Sequence, residues 1–238
     1  MRQNELGQPI GDQVESWRSP DAPQRLEMEG RYCRLVPLDP EQHTSSLWEA
    51  YATEVEPRNW TYLLHGPYDT IDEFDAWVRG AASTTDPLFF AVMDQPSARA
   101  VGVAAFLRIA PAAGSIEVGH INFSPLLQRT PAATEAMYLM MRHAFALGYR
   151  RYEWKCDALN APSRAAAERL GLTFEGIFRQ ATVYKGRNRD SAWYAAIDKE
   201  WPVLEAAFEK WLAPDNFDAN GRQRERLSNL TSNALRSL

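Results

Sequence analysis

The chain has only two cysteines in 238 residues, Cys33 and Cys156, and only four histidines. Two cysteines allow at most one disulfide. Both stand in apolar, strand-like runs, where a buried free thiol is the ordinary outcome. No Cys or His pair has the spacing of a metal site. No run reaches the roughly 18 apolar residues of a membrane span. Met1 to Asp21 is polar, mixed in charge and without the hydrophobic stretch of a secretory signal. An excess of positive charge is also missing. The net charge of −5 and the pI near 5.5 argue against a general nucleic-acid binder. Internal repeats and low-complexity tracts are absent. Together these absences point to a cytoplasmic protein with no membrane, metal or nucleic-acid partner.

What is present suits one mixed domain with extensions. The 45% hydrophobic and 24% charged content is ordinary for an enzyme of this length. Residues 1–25 hold Gly7, Pro9, Gly11, Pro20 and Pro23 with little periodicity. They read as an extended arm, packed on the domain or on a partner subunit, or else as a loosely ordered tail. Residues 26–212 carry the regular elements. Glu29–Pro37 reads as the first strand, and Asp39-Pro40-Glu41 opens a helix to about Ala52. Residues 57–67 mix aromatics with breakers and read as a loop with a short helical turn. Thr70-Ile71-Asp72-Glu73 has the shape of a capping box. Leu88–Met93 and Ala100–Ile109 fit a hairpin. Further on, Arg151–Asp157 reads as a strand and Pro162–Leu170 as a helix stopped by Gly171. Phe174–Tyr184 and Ser191–Ile197 pair across a turn at Lys185–Asp190, and a last helix runs from Asp198 to Trp211. Residues 213–238 form a polar tail whose leucines at 227, 230, 235 and 238 suit an amphipathic helix, docked on a neighbour or simply solvated. A homo-oligomer is one reading of these two ends.

Gly114 to Ala136 organises the rest. Ile116, Val118 and Ile121 are strand formers, and Glu117 interrupts them where a buried strand prefers an apolar residue. Pro125 stops the strand. Thr130-Pro131 is an N-cap followed by proline at the first helical position. Ala133, Met137, Met140, Ala144 and Leu147 then recur at helical spacing.

Two motifs in this region carry a resemblance. Gln128-Arg129-Thr130-Pro131-Ala132-Ala133 falls on the [R/Q]-x-x-G-x-[G/A] pattern of the GCN5-related N-acetyltransferases. Asn160-Ala161-Pro162-Ser163, then Leu170-Gly171 and Phe174-Glu175-Gly176, resembles the second motif of that family's ribosomal-protein-alanine acetyltransferase (RimJ/RimL-type) branch. The resemblance spans about residues 26 to 200. It implies an α+β (mixed α/β) fold, a mostly antiparallel twisted sheet of about seven strands flanked by helices. It also implies acetyl-coenzyme A (acetyl-CoA) as acyl donor.

By the same resemblance, the pyrophosphate would lie on Gln128, Arg129, Thr130, Ala132, Ala133 and Thr134, because a helix start offers unpaired N–H groups and a favourable dipole. Pro131 replaces the family's glycine and has no N–H to give. The backbone of Ile121, Asn122 and Phe123 would bind the pantetheine arm, with Asn160 beside it. Ser163 is the candidate to hydrogen-bond the coenzyme sulfur, since Ala167 stands where many members have tyrosine; a helix N-cap is its structural alternative. Glu117 is the candidate base, with a structural ion pair as the alternative. His120 is either a proton relay at the acceptor side or a packing histidine. Trp60, Tyr62 and His65 either line the acceptor side or pack their loop.

The implied reaction moves an acetyl group to a primary amine of a small molecule, a peptide or a protein N-terminus. Two other readings use the same residues: a non-catalytic acyl-coenzyme A binding or sensing module, and an assembly protein acting through its ends.

Overall fold

The computed structural model describes residues 2–54 and 56–238. Its strands are β1 (Arg2–Gln3), β2 (Pro9–Ile10), β3 (Met28–Glu29), β4 (Cys33–Pro37), β5 (Leu88–Asp94), β6 (Ala100–Ala110), β7 (Ser115–Phe123), β8 (Arg151–Asp157), β9 (Thr173–Tyr184) and β10 (Arg187–Ile197). Its helices are α1 (Pro40–Ala52), α2 (Ile71–Ser83), α3 (Pro131–Ala146), α4 (Ala161–Arg169), α5 (Trp201–Leu212) and α6 (Leu227–Arg236). Eight strands, one more than expected, form the main sheet in the order β3-β4-β5-β6-β7-β8-β10-β9, while β1 and β2 make a separate small hairpin. The extra strand arises because the expected first strand is two. Gly30 to Tyr32 leave the ladder, and a buried carboxylate of α3, Glu135, accepts the N–H groups of Arg31, Tyr32 and Cys33 at 2.8, 2.6 and 2.8 Å.

Period-2 patterning explains the layers. In β5 the side chains of Leu88, Phe90 and Val92 join the cluster under α3 and α5, while Phe89, Ala91 and Met93 join the one under α1 and α2. In β6, Ala104 and Phe106 face the first cluster, and Val103 and Ala105 the second. A strand buried on both faces reads as an unbroken apolar run, and Leu88–Met93 is one. The helix starts follow their signals. Thr130 Oγ1 accepts from the Ala133 N–H at 3.2 Å with Pro131 next in line. Thr70 Oγ1 accepts from the Glu73 N–H at 3.2 Å, although Glu73 reaches back to Asp69 rather than to the cap residue itself.

All neighbouring strands are antiparallel except β7 and β8, which the crossover through α3 makes parallel. Their pairing runs from Ser115–Arg151 to Val118–Trp154 and stops there. On its other side β7 carries a bulge: His120 and Ile121 lie opposite the single residue Ala104, and His120 has φ of 48°. The extra residue twists β7 away from β8 and opens the sheet between them.

The two ends of the chain lie against this domain at particular points. Pro20 and Pro23 are buried. Trp17 packs on Gly114, whose φ of 67° and lack of a side chain the contact requires, since a Cβ there would sit 2.3 Å from the indole. Leu227, Leu230 and Thr231 of α6 are buried against α5 and α4. The hairpin turn between β9 and β10 is the pair Lys185-Gly186, shorter than the sequence suggested. No helix among the described residues is long and apolar enough to cross a membrane, and no cluster of His, Cys, Asp and Glu among them could hold a metal.

Candidate active site

The gap between β7 and β8 is the mouth of a cleft of about 1570 Å³. Val118 to Phe123 form one wall and Trp154 to Asp157 the other, with the starts of α3 and α4 beneath. Its charged lining is one-sided. Arg58, Arg129, Lys155, Arg169, Arg189 and Arg222 face it, against Glu117 and Asp157 alone, in a chain of net charge −5. Asp157 is committed elsewhere, accepting from Tyr184 Oη at 2.8 Å and from the Leu159 N–H at 2.9 Å. A cationic cleft in an acidic protein selects an anionic ligand.

At the start of α3 the turn Ser124–Thr130 spends some amides and leaves others. Gln128 N–H donates to Ser124 O, Thr130 N–H to Leu127 O, and Ala133 N–H to its cap. The N–H groups of Arg129 and Ala132 make no hydrogen bond among the described residues. Arg129, at φ 62°, and Thr134, in the first turn, complete this edge of the cleft. Gln128 does something the motif does not announce. Its Nε2 donates to Phe123 O at 2.8 Å and to Asn59 Oδ1 at 2.9 Å, and Asn59 Nδ2 donates to Phe123 O at 3.0 Å. Gln128 thus ties the α3 loop to the 56–62 loop across the end of β7.

The backbone expected to meet pantetheine is accordingly half engaged. Asn122 O accepts from Tyr51 Oη at 2.8 Å, and Phe123 O is held as above. A carbonyl has a second lone pair, so neither is closed to a ligand. The Asn122 side chain is 2% exposed, and neither its Nδ2 nor its Oδ1 has a partner among the described residues, an uncompensated buried amide at the cleft wall. At the start of α4 the cap is Asn160, whose Oδ1 accepts from the Ser163 N–H at 3.2 Å. Ser163 is therefore not the N-cap of its alternative reading. Its Oγ accepts from Trp154 Nε1 at 3.0 Å, which leaves the hydroxyl proton to give. Burial pushes the neighbouring Cys156 thiol up, opposed by a hydrogen bond from Ser163. Ala167, in the tyrosine position, is fully buried.

Glu117 is 5% exposed and its Oε2 accepts from Lys155 Nζ at 2.8 Å, with Arg108 Nε at 3.4 Å. The ion pair offered as its alternative role is therefore formed. Oε1 makes no hydrogen bond among the described residues and lies on the Gly119 side. Burial raises the carboxyl above the ordinary 4.5, while the Lys155 hydrogen bond and charge, and Arg108, pull it down. Lys155 is shared with Glu153 Oε2 at 2.6 Å and lies 3.6 Å from the centre of the Trp193 ring.

On the acceptor side His120 faces inward, 5.1 Å from Phe89 and stacked on His65 at 6.1 Å between ring centres. Burial lowers its pKa, helped by Arg189, so the ring stays neutral near pH 7. His65 stacks on Trp77 at 4.4 Å, and burial brings its pKa down to about 4. Tyr62 does border the cleft, and its Oη reaches over to Leu159 O at 3.2 Å. Trp60 does not. It is 6% exposed and packs edge-on to Tyr51 and Tyr68, because a large ring gains more behind the loop than in water. The loop it anchors is clamped from the far side of the cleft, where Lys185 Nζ donates to Trp60 O at 2.7 Å and Arg187 to Thr61 O at 2.8 Å.

Lys155, Arg169, Arg189 and Arg222 are site residues that sequence reasoning missed. Lys155 had a signal, since Arg151, Glu153 and Lys155 share one face of a strand beside Glu117. The others come from segments far apart in the chain and had none.

Comparisons with known proteins bear on the family and the fold. The Acetyltransferase (GNAT) domain matches residues 34–173. A GCN5-related N-acetyltransferase from Brucella melitensis is 48% identical, with a TM-score of 0.90 over 92% of this chain and 100% of its own. A GNAT-family protein from Chromobacterium violaceum is 39% identical, with a TM-score of 0.76 over 82% of this chain and 98% of its own. A Salmonella typhimurium acetyl transferase, described as modifying the N-terminal serine of ribosomal protein L7/L12, shares the fold at 22% identity and a TM-score of 0.62, over 72% of this chain and 99% of its own. A search of curated proteins gave no match. With more than half its length matched to the domain and its sheet opened where the cleft lies, the chain belongs to the GNAT family and is an acyltransferase enzyme.

Proposed function

We propose that the protein is an N-acetyltransferase that passes the acetyl group of acetyl-CoA to a primary amine of a small molecule, a peptide or a protein N-terminus. The observation that carries this reading is the parting of β7 and β8 over an α3 start with open amides, directly beside Glu117. Acetyl-CoA supplies the activated acetyl group. The chain supplies the rest. The amides of Arg129 and Ala132, with the Arg129 guanidinium, would hold the diphosphate. Ile121 and the free Nδ2 of Asn160 would align the pantetheine arm. Glu117 Oε1 would take the proton of the incoming ammonium, directly or through a water, and the Ser163 hydroxyl would give one to the departing sulfur. Tyr62 and the neutral His120 would border the amine. Alignment of the two substrates alone removes much of the barrier, so weak proton donation from Ser163 is enough.

The test is release of coenzyme A thiol from acetyl-CoA against a panel of monoamines, diamines and short peptides with free N-termini. Turnover on any of them supports the reading. Tight binding of acetyl-CoA with no turnover across the panel would turn the conclusion to a sensing module. Arg129→Ala is expected to weaken acetyl-CoA binding about tenfold with kcat nearly unchanged. A fall in kcat with intact binding would remove Arg129 from the diphosphate.

A further inference from the structure

The cleft has a side that the family's matched domain does not supply. Residues 34–173 account for β7, β8 and the helix starts, yet Trp211, Phe217, Arg222 and Gln223 also line it. These belong to the end of α5 and the segment after it, which folds back as a built turn. Phe217 bridges to Gln223. The Asp218 carboxylate accepts the N–H groups of Asn220 and Arg222 at 2.8 and 2.9 Å. Asn216 ties the base of the turn to Trp211 O and Glu225, and Gln223 Oε1 accepts from Trp211 Nε1 at 2.9 Å. The turn carries Arg222 just past its tip, exposed and without an ion pair among the described residues.

Arg169, in the last turn of α4, completes the arrangement. Both its terminal nitrogens donate to Thr134 Oγ1, at 3.1 and 3.0 Å, and its guanidinium lies 5.1 Å from the Trp211 ring. It too has no carboxylate partner among the described residues, and burial lowers its pKa. A half-buried, unpaired cation beside the positive end of α3 is unfavourable unless an anion joins it.

We infer that Arg169 and Arg222, both on the cleft and linked through Trp211 and Gln223 of the C-terminal turn, form a second phosphate subsite that takes the ribose phosphate of coenzyme A and makes the protein prefer coenzyme A to its dephospho form. The inference rests on the acetyl-CoA reading above. The diphosphate takes the start of α3 and Arg129; of the five other cations on the cleft, Arg169 and Arg222 are the two tied to α4 and the C-terminal turn, so they answer a third phosphate, and Phe217 gives the adenosine end an apolar wall.

The experiment is calorimetric titration of the full chain with coenzyme A and with dephospho-coenzyme A, in the parent, Arg222→Ala, Arg222→Lys and Arg169→Gln proteins. The parent is expected to bind coenzyme A at least about tenfold tighter than the dephospho form. Arg222→Ala should lose most of that preference while binding the dephospho form as the parent does, and Arg222→Lys should keep part of it. Arg169→Gln should lose the preference as well. Equal affinity of the parent for both ligands would overturn the subsite and leave the acetyl-CoA reading standing, as would a preference unchanged in both Arg222→Ala and Arg169→Gln. Failure of the parent to bind either ligand would overturn the acetyl-CoA reading itself.

Discussion

Glu117→Gln is expected to lower kcat about a hundredfold near neutral pH, with acetyl-CoA affinity nearly intact. The substitution keeps the size of the side chain and removes the proton acceptor. It does not strand Lys155, which remains paired with Glu153 at 2.6 Å. The pH profile separates a base from a packing role. Burial raises the Glu117 pKa above 4.5, so the parent's activity should fall as pH drops through that raised value and protonates the carboxylate. The variant should lack that limb. The loss should shrink at high pH, where the acceptor amine is already deprotonated. The stability effect has the opposite direction. A carboxyl whose folded pKa is raised stabilises most at low pH, and that contribution is lost as pH rises through the folded pKa. Removing the charge therefore should not lower the melting temperature at pH 7. A kcat within threefold of the parent at every pH would assign Glu117 to its ion pair with Lys155 alone.

Glu135→Ala is expected to cost about 4 kcal/mol of folding stability, a fall of roughly 10 °C in melting temperature. Three N–H groups, from Arg31, Tyr32 and Cys33, converge on this carboxylate, which is 4% exposed. Its removal leaves them buried and unpaired at the junction of β3 and β4, together with a small cavity. Gly30 belongs to the same construction, since a Cβ there would sit 2.5 Å from the Glu135 carboxyl atoms. Glu135→Gln keeps one acceptor oxygen and should fall between. Urea denaturation of the three proteins measures the series. A loss below about 1 kcal/mol for the alanine variant would mean that water replaces the carboxylate at all three amides.

Glu135 also shows what a sequence hides. It follows the phosphate-loop motif directly, yet its partners lie about a hundred residues earlier, and nothing in the local pattern of residues 131–146 points to them. Cys33 behaves similarly. Its burial was legible from its apolar neighbours, but the neighbouring Glu135 that helps push its thiol up was not. By contrast, Thr130-Pro131 and the strand Arg151–Asp157 act through neighbours in sequence, and they form where their signals fall.

The aromatic acceptor loop gives the sharpest contrast. Composition placed Trp60, Tyr62 and His65 together in one loop, and all three are in it. Which of them meets the cleft was decided by Lys185 and Arg187, which hold the loop by its carbonyls from another hairpin. Tyr62 was left on the cleft and Trp60 turned into the core.

The sequence alone determined most of the elements, the caps at Thr70 and Thr130 and the pair of motifs that mark the family, because periodicity and capping are read over a few neighbouring residues. Tertiary structure decided the strand parting, the pairing of Glu117 with Lys155, the Glu135 tether and the packing of Arg169 on Thr134 and Trp211. Each of these is a contact between distant segments, and its energy exists only once the backbone has brought them within hydrogen-bond or charge-pairing reach.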